Sequence, residues 1–146
     1  MAVTAKMYGN FHLNAAKKLI TDLSAVGTTV KVALCTSTYT PSQDNHTSFN
    51  DITNEVTGAG YTAGGATLST KTVTYSGAVT TFNADDVSWT SSTITARYAI
   101  IYDATPAAAT DKKLIGYVDF GADMSSSNST FQIVWNASGI FTVTVA

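Results

Sequence analysis

The sequence predicts a mainly β chain: a single antiparallel β-sandwich, jelly-roll or immunoglobulin-like, of about 7–8 strands, with one N-terminal amphipathic helix. Three observations carry this. Thr93–Asp103, TITARYAIIYD, places Ile94, Ala96, Tyr98, Ile100 and Tyr102 at period two, with Thr93, Thr95, Arg97 and Asp103 between them; only Ala99 and Ile101 soften the alternation. The 146 residues include 25 threonines, a residue that suits a pleated, half-buried surface and loses side-chain freedom in a helix. Short apolar runs also recur along the second half, separated by turn-forming residues.

Residues 1–9 read as an N-terminal arm, short and lacking a cap, held only if it finds a partner. Removing residues 1–8 is then expected to weaken partner binding without unfolding the domain. Residues 10–26 read as the helix. Asn10 is the N-cap, Gly27 the C′ residue, and Phe11, Ala15, Leu19 and Leu23 form an apolar stripe at four-residue spacing. That stripe covers a sheet edge or lies on a neighbouring subunit. Thr29–Cys35 is a strand with Val30, Val32 and Leu34 inward and Lys31 outward, followed by a polar loop over 36–54 in which Pro41 holds Thr40 extended. A short helical turn fits Ser48–Val56.

Gly58–Gly65, GAGYTAGG, is the glycine-rich segment. A phosphate-cradling loop needs its glycines between a strand and a helix, whereas Ala66–Tyr75 reads as a strand, so the segment is a turn or bulge and no nucleotide cofactor is expected. Strands follow at Ala78–Asn83, Val87–Trp89, Thr93–Tyr102, Leu114–Phe120, Thr130–Trp135 and Ile140–Val145. Ala84-Asp85-Asp86, the exposed loop 103–111 and the hairpin turn Asn136-Ala137-Ser138-Gly139 separate them. No period repeats, and residues 10–146 form one domain.

A formal charge of −2, with seven lysines and one arginine, lacks the basic clusters that neutralise phosphates, so nucleic acid is not an expected partner. No apolar run approaches the ~20 residues of a membrane span, and no membrane partner is expected. At 12 % charged residues against an average of about 25 %, the surface repels itself weakly and favours association. Cys35, the one cysteine, sits in a strand and reads as a small buried apolar residue.

Catalytic chemistry needs groups poised together, and few are visible. His46 beside Asp44 and Asp51 lacks the spacing of a zinc site, and Asp85-Asp86 lacks a calcium-loop pattern. The serines show no nucleophile elbow, and the two histidines are ill placed for a triad. No catalytic, cofactor-binding or metal residues are assigned, and the chain is read as no enzyme. Trp89, Tyr98, Tyr102, Tyr117, Phe131 and Trp135 fall at core phase, whereas Tyr39 and Tyr61 lie in loops and are better placed for contact with a partner.

The segments Val32–Pro41, Asn54–Gly65, Ala84–Trp89, Ala96-Arg97-Tyr98-Ala99, Tyr117–Gly121 and Trp135–Phe141 resemble a family of small virion structural proteins of tailed bacteriophages. The resemblance covers most of the chain after about residue 28 and implies no catalytic residues. It implies a head decoration or cement protein in the virion, assembled in the host bacterial cytoplasm, with the major capsid protein and further copies of itself, commonly as a trimer, as partners. A tail or fibre-associated module that binds host surface glycan is the alternative. The candidate partner contacts are Met7 and Tyr8 on the arm, Tyr39 and Tyr61 in the loops, and Arg97. Arg97 projects from the polar side of its strand as an ion-pair partner for a carboxylate or as a subunit contact.

Overall fold

A computed structural model describes residues 2–145. Two antiparallel sheets are built from β1 (Thr4–Met7), β2 (Val30–Cys35), β3 (Ala66–Thr67), β4 (Thr72–Ser76), β5 (Val79–Asn83), β6 (Val87–Asp103), β7 (Leu114–Ile133) and β8 (Phe141–Thr144). The larger sheet runs in the order β1-β7-β6-β2-β3, the smaller in the order β4-β5-β8. The mainly β sandwich class is therefore as the composition and alternation indicate.

Two faces of the larger sheet are buried. Val30, Val32, Leu34, Ala99, Ile101 and Ile115 pack in one cluster with Phe82, and Phe141 of the smaller sheet lies against it. Ala33, Cys35, Ile100, Tyr102 and Leu114 form the opposite face, closed by Tyr8, Tyr39, Phe49 and Ile52. The long polar loop is thus a lid on the second face of the sheet, pinned by a 3-10 turn at Phe49–Asp51 whose Ser48 and Asp51 cap one another.

Three expectations are corrected. The helix, α1, spans only Asn10–Ala16, with Gly9 rather than Asn10 at the N-cap. Lys18 turns to φ +56, which breaks the helical ladder before Leu19 and Leu23, so the four-residue stripe is not one helix face. Leu23 nevertheless reaches the core. Residues 4–7 are no loose arm: β1 pairs with β7 from Thr4 opposite Asp119 to Met7 opposite Gly116, and Tyr8 is 1 % exposed. Removing residues 1–8 therefore strips an edge strand and a core tyrosine. Met1 lies outside the described residues.

The third correction concerns the alternating strand. Its pairing with β7 shifts between Ala96 and Tyr98, and a bulge of this kind reverses which side chains face the core. Ile94 and Ala96 face the inter-sheet cluster, but beyond the bulge Ala99 and Ile101 take that side, and Tyr98, Ile100 and Tyr102 turn to the other. Asp103, expected outside, is fully buried: it accepts hydrogen bonds from the Thr21 N–H (2.8 Å), the Thr21 hydroxyl (2.7 Å) and the Thr105 N–H (2.9 Å). The carboxylate thereby ties the segment after α1 to the end of β6.

The separate short strands read over 87–102 and 114–135 merge into one long hairpin of β6 and β7. It bends sharply, since the rings of Phe120 and Phe131 on the same strand approach to 6.0 Å, a distance a straight strand rising about 3.3 Å per residue cannot give. Gly121 (φ +80) lies in the bend.

Candidate interaction surface

Four of the five candidate contact residues lie close together, but mostly inward. The Tyr8 hydroxyl donates to Tyr39 (3.0 Å), and the Tyr39 hydroxyl to Nδ1 of His46 (2.9 Å), which also accepts the Ser42 N–H. Tyr39 is 1 % exposed and meets Tyr98 edge-on at 5.9 Å, while the Arg97 guanidinium lies 5.7 Å over the Tyr98 ring. Met7 is half-buried against the core, and its carbonyl accepts Nε2 of Gln43 (2.7 Å). Arg97 Nε binds Asp119 Oδ1 at 2.6 Å, the ion pair with a nearby carboxylate that its place on the strand allows.

Tyr61 stands apart from this group. Its hydroxyl accepts the Leu34 N–H (2.9 Å) and donates to Glu55 (2.6 Å), which joins the glycine-rich turn to β2. Burial pushes the Tyr39 phenol up to about 12, against the effect of the bond from Tyr8. Burial, then the bonds to Tyr39 and Glu55 respectively, raises Tyr8 and Tyr61 further still. These tyrosines are neutral structural pins, and Tyr39 and Tyr61 do not form an exposed aromatic platform. The Arg97 hydrogen bond holds the Asp119 carboxyl below the usual range, and the Gly121 N–H adds to it.

The surface open to a partner lies elsewhere. The smaller sheet has three strands to the larger sheet's five, so the side formed by β1 and β7 is incompletely roofed. A groove of about 580 Å³ opens there, floored by Val118, Phe120, Phe131 and Ile133 and walled by Trp135 and Ile140. None of its lining side chains is charged. Val3, Met124 and Val134 stand on its rim, 64 %, 50 % and 68 % exposed. A second hollow of about 230 Å³, between Met7, Val118 and Phe141, continues it along β1.

The wall is held by its own hydrogen bonds. Trp135 donates its indole N–H to the Asp85 carbonyl (3.0 Å) and its backbone N–H to Asp86 Oδ1 (2.9 Å). The turn at Asn136–Gly139, expected to close a hairpin, instead carries the chain from β7 in the larger sheet to β8 in the smaller; it closes through the Gly139 N–H on the Asn136 carbonyl, and the Ile140 N–H reaches the Phe82 carbonyl. The edge of β7 beyond Asp119 has no partner strand other than β6 among the described residues. An apolar, uncharged hollow beside an open sheet edge is suited to burying apolar side chains of another protein surface. Its polar lining, Ser125, Thr130, Gln132 and Asn136, is uncharged. Sequence reasoning missed the groove because β1, the bend of β7 and the 134–140 connection between the sheets meet only in the fold; the exposed phase of Val134 beside Trp135 was the available signal.

Comparison of the chain with protein-family models, curated proteins and solved structures finds no match.

Proposed function

We propose that the chain is a non-enzymatic virion structural protein of a tailed bacteriophage, a head decoration or cement protein that binds and stabilises the capsid shell as an oligomer. Its partners are the major capsid protein and further copies of itself. The observation that carries the reading is the uncharged apolar groove rimmed by Val3, Met124 and Val134: exposed apolar surface of this kind is retained where a protein contacts another. The family resemblance supplies the particle, and the sparse charge of the chain fits dense packing on a shell.

The test is co-sedimentation of the purified chain with shells assembled from the major capsid protein alone. Saturable binding that raises the temperature at which the shells disassemble is expected. No binding to shells, together with saturable binding to host cells or a glycan array, overturns it in favour of a tail-associated receptor module.

A further inference from the structure

The same molecule presents an apolar protrusion at another place. The segment that follows β1 leaves Leu13, Leu19 and Val26 48 %, 47 % and 105 % exposed, with Lys17 and Lys18 exposed between them. It is braced from within: Thr21 is bonded to the buried Asp103, Leu23 is in the core, and the Thr28 N–H and hydroxyl close on the Ala25 carbonyl. An apolar surface held so firmly is a fixed shape and not a loose tail.

Protrusion and groove complement each other. The groove is lined without charge; at its Trp135 wall Asp85 and Asp86 are exposed carboxylates, while Lys6 lines the hollow at the other end and Asp123 turns away toward Ser37. The nearby Arg97 is engaged by Asp119. The protrusion carries two lysines against the single Asp22, whose carboxylate is tied to Ser24. A chain cannot fill its own groove, because the protrusion follows the Met7 end of β1, the groove opens at the Val3 end, and the Asp103 tether fixes the former.

We infer that the 13–26 segment of one copy docks in the β1–β7 groove of a second copy, with Lys17 and Lys18 facing the Asp85 and Asp86 side at the Trp135 wall, to form a head-to-tail oligomer. The inference rests on the assembly reading above. With one such contact per pair of copies, each pair keeps a free groove and a free protrusion, so the interface is heterologous and propagates until the ring closes.

The test uses the full chain and two variants at exposed positions, Leu19→Asp in the protrusion and Val134→Asp on the groove rim, followed by light scattering and sedimentation. The wild type is expected to run as an oligomer and each variant alone as a 15.3 kDa monomer. An equimolar mixture is expected to form a 1:1 dimer, because one variant keeps a sound groove and the other a sound protrusion. An interface made by one patch alone gives no such rescue. The charge-swap pair gives a second readout: Lys17→Glu with Lys18→Glu disperses the oligomer, and adding Asp85→Lys restores it in part. A wild type that stays monomeric, or a mixture that stays monomeric, overturns the inference. A monomer that still binds capsid shells refutes only the self-docking; a ring that ignores shells refutes only the capsid assignment.

Discussion

Gly65 is the position at which the glycine-rich segment most clearly shows a structural purpose. Its φ is +75, and a Cβ placed on it would drive into the Val32 carbonyl and lie 2.6 Å from the Ala33 Cα. Both obstacles are backbone of β2, in the larger sheet, so neither can swing aside. In Gly65→Ala the left-handed conformation alone costs about 1–2 kcal/mol, and forcing an atom into a filled space adds about 1–3 kcal/mol. The sum, about 2–5 kcal/mol, is a large part of the 5–15 kcal/mol that typically holds a domain together. Gly77→Ala is the matched control: its φ is +56, but a Cβ there meets nothing within 4 Å. That variant pays only the conformational term, partly offset by about 0.4–1 kcal/mol from a stiffer unfolded chain. Because the conformational and unfolded-chain terms are common to both, equilibrium urea unfolding, read by tryptophan fluorescence, should separate them by the packing term, about 1–3 kcal/mol, at unchanged slope. Equal midpoints for the two variants would refute the packing argument.

Three further perturbations probe the same packing. Asp103→Ala removes the acceptor of Thr21 and Thr105; a loss of about 3 kcal/mol is expected, with amide exchange accelerating first over residues 17–28, and uniform acceleration over the chain would contradict it. Tyr39→Phe breaks the link between Tyr8 and His46 and should cost about 1–2 kcal/mol, whereas His12→Ala, outside that chain of bonds, should not reproduce it in the same melt. Burial pushes Cys35 from 9.0 up to about 12 and Tyr39 from 10.0 up to about 12. Both groups are held neutral in the fold and ionise earlier in the unfolded chain, so their stabilisation is complete below about pH 9 and is lost as pH rises toward 12. Unfolding curves across that range should show the loss, and thiol titration should find Cys35 unreactive until the chain opens; stability flat to pH 12 would contradict the assignment.

Much of the fold was legible because a β-sheet writes its burial into the sequence at period two. Val30, Val32 and Leu34 on one face and Lys31 on the other were readable on that basis, and the acidic break at Asp85-Asp86 from its turn residues; the expected hairpin at Asn136–Gly139 was not, because the turn there carries the chain from one sheet to the other. The errors arose where geometry departs from a fixed period. The bulge between Ala96 and Tyr98 reversed the phase of the most regular strand, so a pattern that looked like one buried face serves two. The spacing of Phe11, Ala15, Leu19 and Leu23 mimicked a long helix, but Lys18 breaks it, and Asp103, distant in sequence, anchors the chain at Thr21. Tyr39 looked exposed because it lies in a polar loop; that loop closes over the sheet and turns the ring inward. The groove had no local pattern to read, since its floor, wall and rim come from three separate parts of the chain.

The central claim is that the chain is a component of the particle and docks through its β1–β7 groove. A cryo-EM map of the virion tests this most directly. The expected result is a ring of sandwich densities on the outside of the head shell, with the 13–26 segment of each copy seated against Val3, Met124 and Val134 of the next. Density for the chain on the tail, or virions without it, would contradict the claim.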